Sequence, residues 1–237
     1  MPKCVFVTGG SGALGSAIVR KFRAEEDEVA FTYRTHREAA ERLQAETGAL
    51  PLCAELTDRL QVQAAVAAAL ERLGRIDVLV NNAGTTQVMP FALIEEADWD
   101  EIVGANLKSL FLVTQEAARD MVARKSGSIV NIGSIAGHRL LDVPVHYATA
   151  KAAVSGFTVS LAAEFRRYGI RVNSVIPGML EAGIARNVPE KEYQEYIHYC
   201  AAGRPGRMDE VAELVYFLAS DRASYINAQS IVIDGGL

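Results

Sequence analysis

The sequence lacks the residues on which several classes of protein depend. Its three cysteines, Cys4, Cys53 and Cys200, fit neither a disulfide framework nor the close pairing of a metal site. With 24 basic and 29 acidic residues, the net charge is −5, and no basic excess favours nucleic acid or an anionic membrane surface. No apolar run approaches the roughly 18 residues of a membrane span. The four histidines lack metal-ligand spacing, so we expect no bound metal.

The remaining composition suits one globular domain. The chain has 237 residues, half of them apolar and 22% charged, which is enough for one hydrophobic core and argues against disorder. Its first residues run directly into a strand pattern, without the basic and apolar regions of a signal peptide. Together with the scattered cysteines, this predicts a single domain over residues 1–237 in the reducing cytoplasm.

Short β-rich runs alternate with helical runs along the chain. The predicted strands are Lys3–Thr8, Val29–Tyr33, Ala49–Ala54, Ile76–Val80, Ser128–Ile132, Arg171–Val175 and Ser230–Ile233. The predicted helices are Ala13–Ala24, Arg37–Thr47, Asp58–Gly74, Glu95–Lys125 with a break near Gly104, His146–Tyr168 and Asp209–Ala219. This alternation predicts an α/β fold with a single Rossmann-like, doubly wound parallel sheet of about seven strands and helices on both faces. The segment 178–207 has no clear period, and we expect an irregular substrate loop there.

The loop between the first predicted strand and helix is rich in glycine. Residues 8–15 read T-G-G-S-G-A-L-G. Glycines let backbone N–H groups approach a pyrophosphate, and the start of the following helix adds partial positive charge. A tight turn without a ligand would also explain the glycines, but their place after the first strand predicts a dinucleotide site. No Gly-Lys-Ser/Thr follows, which excludes a nucleoside-triphosphate P-loop.

The end of the second strand carries information about the cofactor. A Rossmann site for NAD usually places an acid here to bind the ribose hydroxyls, and the run from Thr32 to Arg37 contains none. Arg34, with Thr35 beside it, is suited to a 2′-phosphate, because a guanidinium fork matches phosphate in geometry and charge. The alternative is a solvated arginine. We expect NADPH rather than NADH.

A tyrosine, a lysine and a serine form the candidate catalytic group. Tyr147 and Lys151 are four residues apart at the start of a predicted helix, so they share one face. The ammonium would lower the pKa of the phenol towards that of a general acid. Ser134 follows a predicted strand, as the Asn81–Gly84 turn does, and ligands lie at the carboxyl ends of strands in such sheets. An ordinary helix pair and a turn serine are the structural alternatives.

Taken together, these motifs resemble the short-chain dehydrogenase/reductase family in its compact form, over nearly the whole chain. The similar segments are Thr8–Gly15, Asn81–Gly84, Asn106 with its neighbours, Ser134, Tyr147 with Lys151, Pro177–Gly178 and Asp234–Gly236. The resemblance implies a nicotinamide-dependent oxidoreductase. The implied catalytic residues are Asn106, Ser134, Tyr147 and Lys151. The implied cofactor-binding residues are Gly9, Ser11, Gly12, Ala13, Leu14, Gly15, Arg34, Thr35, Glu55, Leu56, Asn82, Ala83, Gly84, Tyr147, Lys151, Pro177, Gly178 and Leu180.

Several of these residues have roles that only the resemblance supplies. It implies that Ser134 and Tyr147 donate hydrogen bonds to a ketone, and that Lys151 also holds the nicotinamide ribose. It further implies that Asn106 anchors a water that returns a proton through Lys151. Glu55 stands where an aspartate usually meets the adenine.

Within the family, the sequence is most similar to 3-oxoacyl-[acyl-carrier-protein] reductases. The shared features are Thr32-Tyr33-Arg34, Asn82–Thr86, Asp98-Trp99 and Gly203–Arg207. The implied reaction is hydride transfer to a 3-oxoacyl thioester on acyl-carrier protein. Reduction of a free ketone, sugar, steroid or polyketide-type substrate is the alternative, and a non-catalytic cofactor-binding scaffold is a second. Apolar residues in the substrate loop favour acyl or aromatic substrates: Met179, Leu180, Ile184, Tyr193, Tyr196 and Ile197.

The resemblance also implies partners. Family members usually form tetramers, and the small residues of the stretch 148–156 offer a surface for a second subunit. Two long predicted helices end with the basic residues Arg124 and Lys125, and Arg166 and Arg167, in their last turns. These residues either balance the helix dipoles or form a docking surface for an acidic carrier protein beside the site.

Overall fold

The fold is built on one parallel sheet. The computed structural model describes residues 2–183, 188 and 190–237. Across these residues the strands are β1 Cys4–Val7, β2 Glu28–Tyr33, β3 Leu50–Cys53, β4 Val78–Asn81, β5 Gly127–Ile132, β6 Ile170–Pro177 and β7 Ser230–Ile233. Neighbouring strands are parallel throughout, in the order β3-β2-β1-β4-β5-β6-β7. The predicted doubly wound sheet is confirmed.

The helices cover both faces of this sheet. They are α1 Ala13–Ala24, α2 Arg37–Thr47, α3 Arg59–Leu73, α4 Glu96–Val103, α5 Ser109–Arg124, α6 Val145–Phe165, α7 Glu190–Tyr199 and α8 Met208–Ala219. The expected break near Gly104 is a π-helical stretch, Gly104–Lys108, between α4 and α5. None of the helices described here is both long and apolar enough to cross a membrane.

The substrate segment differs from its prediction, because it is not irregular throughout. It contains the ten-residue helix α7. Tyr196 on this helix packs with Ile135, Ile176 and Cys200 in a small apolar cluster outside the main core. The helix is stabilised by this tertiary contact, and its short run of charged residues gives little helical pattern in the sequence.

Successive side chains along each strand point to opposite faces of the sheet, and this produces two hydrophobic cores. Val5 and Val7 of β1 pack on the face covered by α1, α2 and α8, whereas Phe6 packs on the face covered by α3, α5 and α6. The strands are therefore buried on both faces and read as continuous apolar runs. The strand order reverses between β1 and β4, which opens a crevice at the carboxyl edge of the sheet.

Candidate active site

A cavity of about 850 Å³ occupies this crevice. It extends along the glycine loop, the ends of β2 and β3, the turn after β4, the β5–α6 segment and α7. Of the residues predicted for catalysis and cofactor binding, all but Asn106 line it. Asn106 is 1% exposed and lies behind the wall at Gly84. One continuous cavity therefore brings together motifs as distant in the sequence as Gly9 and Gly178.

The shape of the glycine loop depends on its glycines. Gly9 has a φ of +66°, which favours glycine, and its N–H donates to the Thr32 hydroxyl at 3.1 Å. A Cβ on Gly10 would lie 2.6 Å from Phe31, and one on Gly15 would lie 2.2 Å from the Gly9 carbonyl oxygen. Gly12, the residue before α1, makes no side-chain cap. The first N–H groups of α1 are thus free to bind an anion such as a pyrophosphate.

A threonine and an asparagine fasten the glycine loop to the turn after β4. The Thr8 hydroxyl accepts hydrogen bonds from the backbone N–H groups of Asn82 and Ala83, at 2.9 and 3.0 Å. The Asn82 amide donates back to the carbonyls of Thr8 and Gly9, at 2.9 and 3.2 Å. Sequence reasoning missed Thr8 and Thr32 as positioning residues. Thr8 opens the glycine motif, which was the available signal, but its role depends on a turn 74 residues away.

At the far end of the cavity, Arg34 forms an ion pair with Glu55. The Arg34 Nη1 to Glu55 Oε2 distance is 3.1 Å, and the arginine side chain is 56% exposed. Glu55 Oε1 accepts from the Thr57 N–H and hydroxyl, at 3.0 and 2.8 Å. Both oxygens of Glu55 therefore have protein partners. Because a carboxylate oxygen can accept more than one hydrogen bond, Oε2 can still make the adenine contact expected for Glu55.

The candidate catalytic group lies where α6 passes the end of β5. Tyr147 is 9% exposed and Lys151 is 4% exposed, one helical turn apart. Lys151 Nζ donates to the Ile132 carbonyl at 3.0 Å, which fixes the amine beside the strand. The Ser134 hydroxyl accepts from the Ala136 N–H at 3.1 Å. The predicted juxtaposition of Tyr147, Lys151 and the end of β5 is present.

The pKa of the Tyr147 phenol differs from the one expected from the sequence. Burial raises the pKa of the Tyr147 phenol above its ordinary value, and its contact with the Ser134 hydroxyl acts in the opposite direction. Burial lowers the pKa of the Lys151 amine to about 8. The lowering expected for the phenol beside Lys151 is thus not found, because loss of solvent destabilises both the phenolate and the ammonium. A phenol that keeps its proton near neutral pH remains suited to donating it.

Asn106 lies on the π-helical stretch, and its side-chain amide points in a defined direction. Its Nδ2 donates to the carbonyls of Ile102 and Thr85, both at 2.8 Å. Its Oδ1 is buried, has no hydrogen-bond partner among the described residues and faces Gly84, where a Cβ would lie 2.5 Å away. The same Cβ would lie 3.2 Å from Lys151 Nζ. The amide oxygen and the amine therefore flank one position, which suits a hydrogen-bond donor such as water.

The opposite end of the cavity is formed by α7 and the β5–α6 segment. The Tyr196 hydroxyl donates to the Asp234 carbonyl at 2.7 Å and anchors α7 to the segment after β7. Apolar lining at this end includes Ile135, Leu141, Met179 and Tyr196. Ile184, expected to contribute to the same apolar surface, lies outside the described residues. Across the described ranges no group of three or more His, Cys, Asp or Glu side chains is arranged to hold a metal ion.

Of the two interpretations of Arg124, Lys125, Arg166 and Arg167, the structure does not support a docking surface beside the site. Lys125 directly precedes the N-terminal end of β5 and Ser134 follows its other end, so about 20 Å of strand separates them. The Arg124 guanidinium pairs with Asp120 and Asp77. Arg167 packs over the Tyr168 ring, 4.9 Å from its centroid, just before β6. These groups lie at the opposite edge of the sheet from the cavity.

Known proteins are similar to this chain in sequence and in fold. A family model described as enoyl-(acyl carrier protein) reductase matches residues 10–237. The structure of a mutant Serratia marcescens short-chain dehydrogenase/reductase has a TM-score of 0.93 and 34% identity, with 99% of this chain and 97% of that chain covered. The chain belongs to the short-chain dehydrogenase/reductase family. It is an oxidoreductase, and the family implies a nicotinamide cofactor.

Two curated relatives of this short-chain dehydrogenase/reductase have specific names. One is "3-oxoacyl-[acyl-carrier-protein] reductase FabG" of Thermotoga maritima, 37% identical, with 99% of this chain and 97% of the relative covered. The other is "Acetoacetyl-CoA reductase" of Shinella zoogloeoides, also 37% identical, with 100% of this chain and 98% of the relative covered.

Proposed function

We propose that the protein is an NADPH-dependent reductase of 3-oxoacyl thioesters, with acyl-carrier protein as the natural carrier. The observation that carries the proposal is the single cavity that joins Arg34, the glycine loop and the Ser134, Tyr147 and Lys151 group. The names of the two curated relatives support the substrate, because both describe reduction of a 3-oxoacyl thioester. The apolar wall at Leu141 and Met179 is consistent with an acyl chain.

The cavity fits a dinucleotide along its length. The N–H groups at the start of α1 would bind the pyrophosphate, Arg34 the 2′-phosphate, and the residues beside Pro177 and Leu180 the nicotinamide end. Lys151, beside the Asn82–Gly84 wall, would donate to the nicotinamide ribose. When bound, NADPH supplies the hydride that reduces the ketone carbon. The choice of NADPH over NADH depends on Arg34, because no acid follows β2 at this position.

The residues of the chain supply the proton and the polarisation. The hydroxyls of Ser134 and Tyr147 would donate to the ketone oxygen, and they stabilise the negative charge that grows there during reduction. Tyr147 transfers its proton to that oxygen, which completes the 3-hydroxyacyl product. Lys151 then returns a proton to Tyr147, drawn from a water held by Asn106 Oδ1. The buried amide oxygen without a partner supports this role for Asn106.

The assembly and cellular location are part of the proposal. We expect a homotetramer in the cytoplasm, with the small residues Ala148, Ala152 and Gly156 of α6 at a subunit contact. Apolar side chains exposed on α5 and α6, Phe111 at 41% and Val159 at 50%, support such a contact. Light scattering with size-exclusion chromatography measures the subunit number, and a monomer at micromolar concentration contradicts it.

The decisive experiment follows NADPH oxidation with a substrate panel. It contains acetoacetyl-acyl-carrier protein, acetoacetyl-CoA, and free cyclic and aromatic ketones, each with NADPH and with NADH. We expect the highest kcat/KM for the carrier-bound thioester with NADPH. A preference for a free ketone would instead support the alternative class of substrates, and no turnover of any member would contradict the proposed reaction.

A further inference from the structure

The substrate end of the cavity contains a buried carboxylate oxygen that has no partner among the described residues. Glu192 on α7 lines the cavity, and its Oε2 is buried with no hydrogen-bond partner among the residues that the structure describes. A buried polar atom without a partner is destabilising, and more so when it is charged. Such an atom in a ligand cavity can accept a hydrogen bond from water or from a donor that the ligand brings.

The charges near Glu192 indicate what kind of ligand this is. Asp142 and Glu195 line the same end of the cavity. The basic side chains among the described lining residues are elsewhere: Arg34 with its neighbour His36 is at the end of β2, and Lys151 is bonded beside β5. The described charged side chains at the substrate end are therefore acidic, and they favour a group that donates hydrogen bonds and carries no negative charge.

A basic side chain of the β5–α6 segment is engaged with another carboxylate. Arg139, on the β5–α6 segment, lies 3.6 Å from the Asp234 carboxylate. Of the other two acids on α7, Glu195 also lines the cavity, whereas Glu190 accepts a hydrogen bond from the Gln194 amide at 2.7 Å. Glu192 and Glu190 are thus two carboxylates on one helix, half a turn apart, of which only Glu192 lines the cavity.

We propose that Glu192 is a specificity-determining residue that accepts a hydrogen bond from an amide N–H in the arm of a thioester substrate. This inference rests on the proposed function, since a thioester of a pantetheine-type arm carries amide N–H groups beyond its sulfur. An N–H donor to a carboxylate forms a charge-assisted bond, stronger than one between neutral groups. The same carboxylates, with Glu195 and Asp142, repel a free 3-oxoacid, whose carboxylate replaces the thioester.

The test compares two thioesters that differ in one donor. The acetoacetyl thioester of N-acetylcysteamine has an amide N–H, and S-butyl acetothioacetate has a chain of similar length without one. We expect Glu192→Ala to lower kcat/KM about tenfold or more for the first and to leave the second within twofold. Glu192→Gln, which keeps an acceptor oxygen without the charge, recovers part of the loss. Glu190→Gln, the matched control, leaves both substrates unchanged.

A second arm tests the charge. The double variant Glu192→Gln, Glu195→Gln should reduce acetoacetate with a kcat/KM at least fivefold above that of the wild type. The inference is overturned if Glu192→Ala lowers kcat/KM equally for the two thioesters or changes neither. If the wild type turns over neither thioester, the inference fails together with the proposed function. If both thioesters are good substrates and Glu192→Ala changes kcat/KM for neither, the inference fails alone.

Discussion

The two ends of the cavity are built in different ways. The cofactor end consists of backbone held by strand ends and short side chains: the glycine loop is tied to Thr32 and, through Thr8, to Asn82. The substrate end is a single helix, α7, attached through Tyr196 to the segment after β7. Where the backbone must adopt a special geometry, few residue types are accepted, and this produces sequence motifs. A helix that docks on the fold can carry many different side chains towards the cavity. Motifs thus identify the chemistry, and the substrate has to be read from the structure.

The largest expected effect tests the group where the two ends meet. Tyr147→Phe removes the proton donor but keeps the ring, so we expect kcat to fall about 10³-fold. NADPH affinity, measured by fluorescence titration, should stay within twofold, because the phenol acts on the ketone. Turnover within a few-fold of the wild type would contradict the role of Tyr147 and would leave Ser134 as the remaining hydroxyl at the site.

The second prediction separates two glycines of the cofactor end. A Cβ at Gly15 would lie 2.2 Å from the Gly9 carbonyl oxygen, whereas one at Gly12 would meet the same oxygen at 3.4 Å. We expect Gly15→Ala to weaken NADPH binding about 100-fold and to destabilise the fold by about 1–3 kcal/mol. Gly12→Ala should change binding less than fivefold. Thermal denaturation measures stability and fluorescence titration measures NADPH binding. If the two substitutions had equal effects in both measurements, the glycine loop would not be rigid.

The sequence predicted the cofactor end more completely than the substrate end. Arg34, the glycine loop and the Tyr147–Lys151 pair follow from strand ends and helical spacing, which are local properties. The helix α7 could not be predicted from its own pattern, because its one buried aromatic, Tyr196, packs on residues such as Ile135 and Ile176 that are distant in sequence. The raised pKa of Tyr147 was missed because burial, unlike charge spacing, depends on the whole fold.

The third prediction concerns Lys151 and pH. Burial lowers its pKa to about 8, so the folded protein loses the ammonium above pH 8, while an unfolded chain keeps it to about pH 10.4. Between these values the unfolded chain binds more protons, and stability therefore rises with pH. Turnover that needs the ammonium should fall about tenfold per unit above pH 8.

A neutral variant isolates this effect from the rest of the protein. Lys151→Met removes a buried charge, so its free energy of unfolding relative to the wild type should be highest below pH 8 and should decline towards about pH 10.4. Urea denaturation across the range from neutral to alkaline pH measures both proteins. A stability difference that does not depend on pH between about 8 and 10.4 would show that folding does not lower the pKa of the Lys151 amine.

The smallest expected effect concerns Glu55, which shares Arg34 with the expected 2′-phosphate. Arg34 lies 3.1 Å from the Glu55 carboxylate, so a phosphate bound to the same guanidinium would be close to a like charge. We expect Glu55→Gln to tighten NADPH binding about threefold and to leave NADH within twofold. Arg34→Ala is the matched comparison. It should weaken NADPH binding by about tenfold, again with little change in NADH binding. If Glu55→Gln instead weakens NADPH binding, the Glu55 carboxylate serves to orient Arg34. The cofactor end is then preorganised by this ion pair as well as by its backbone.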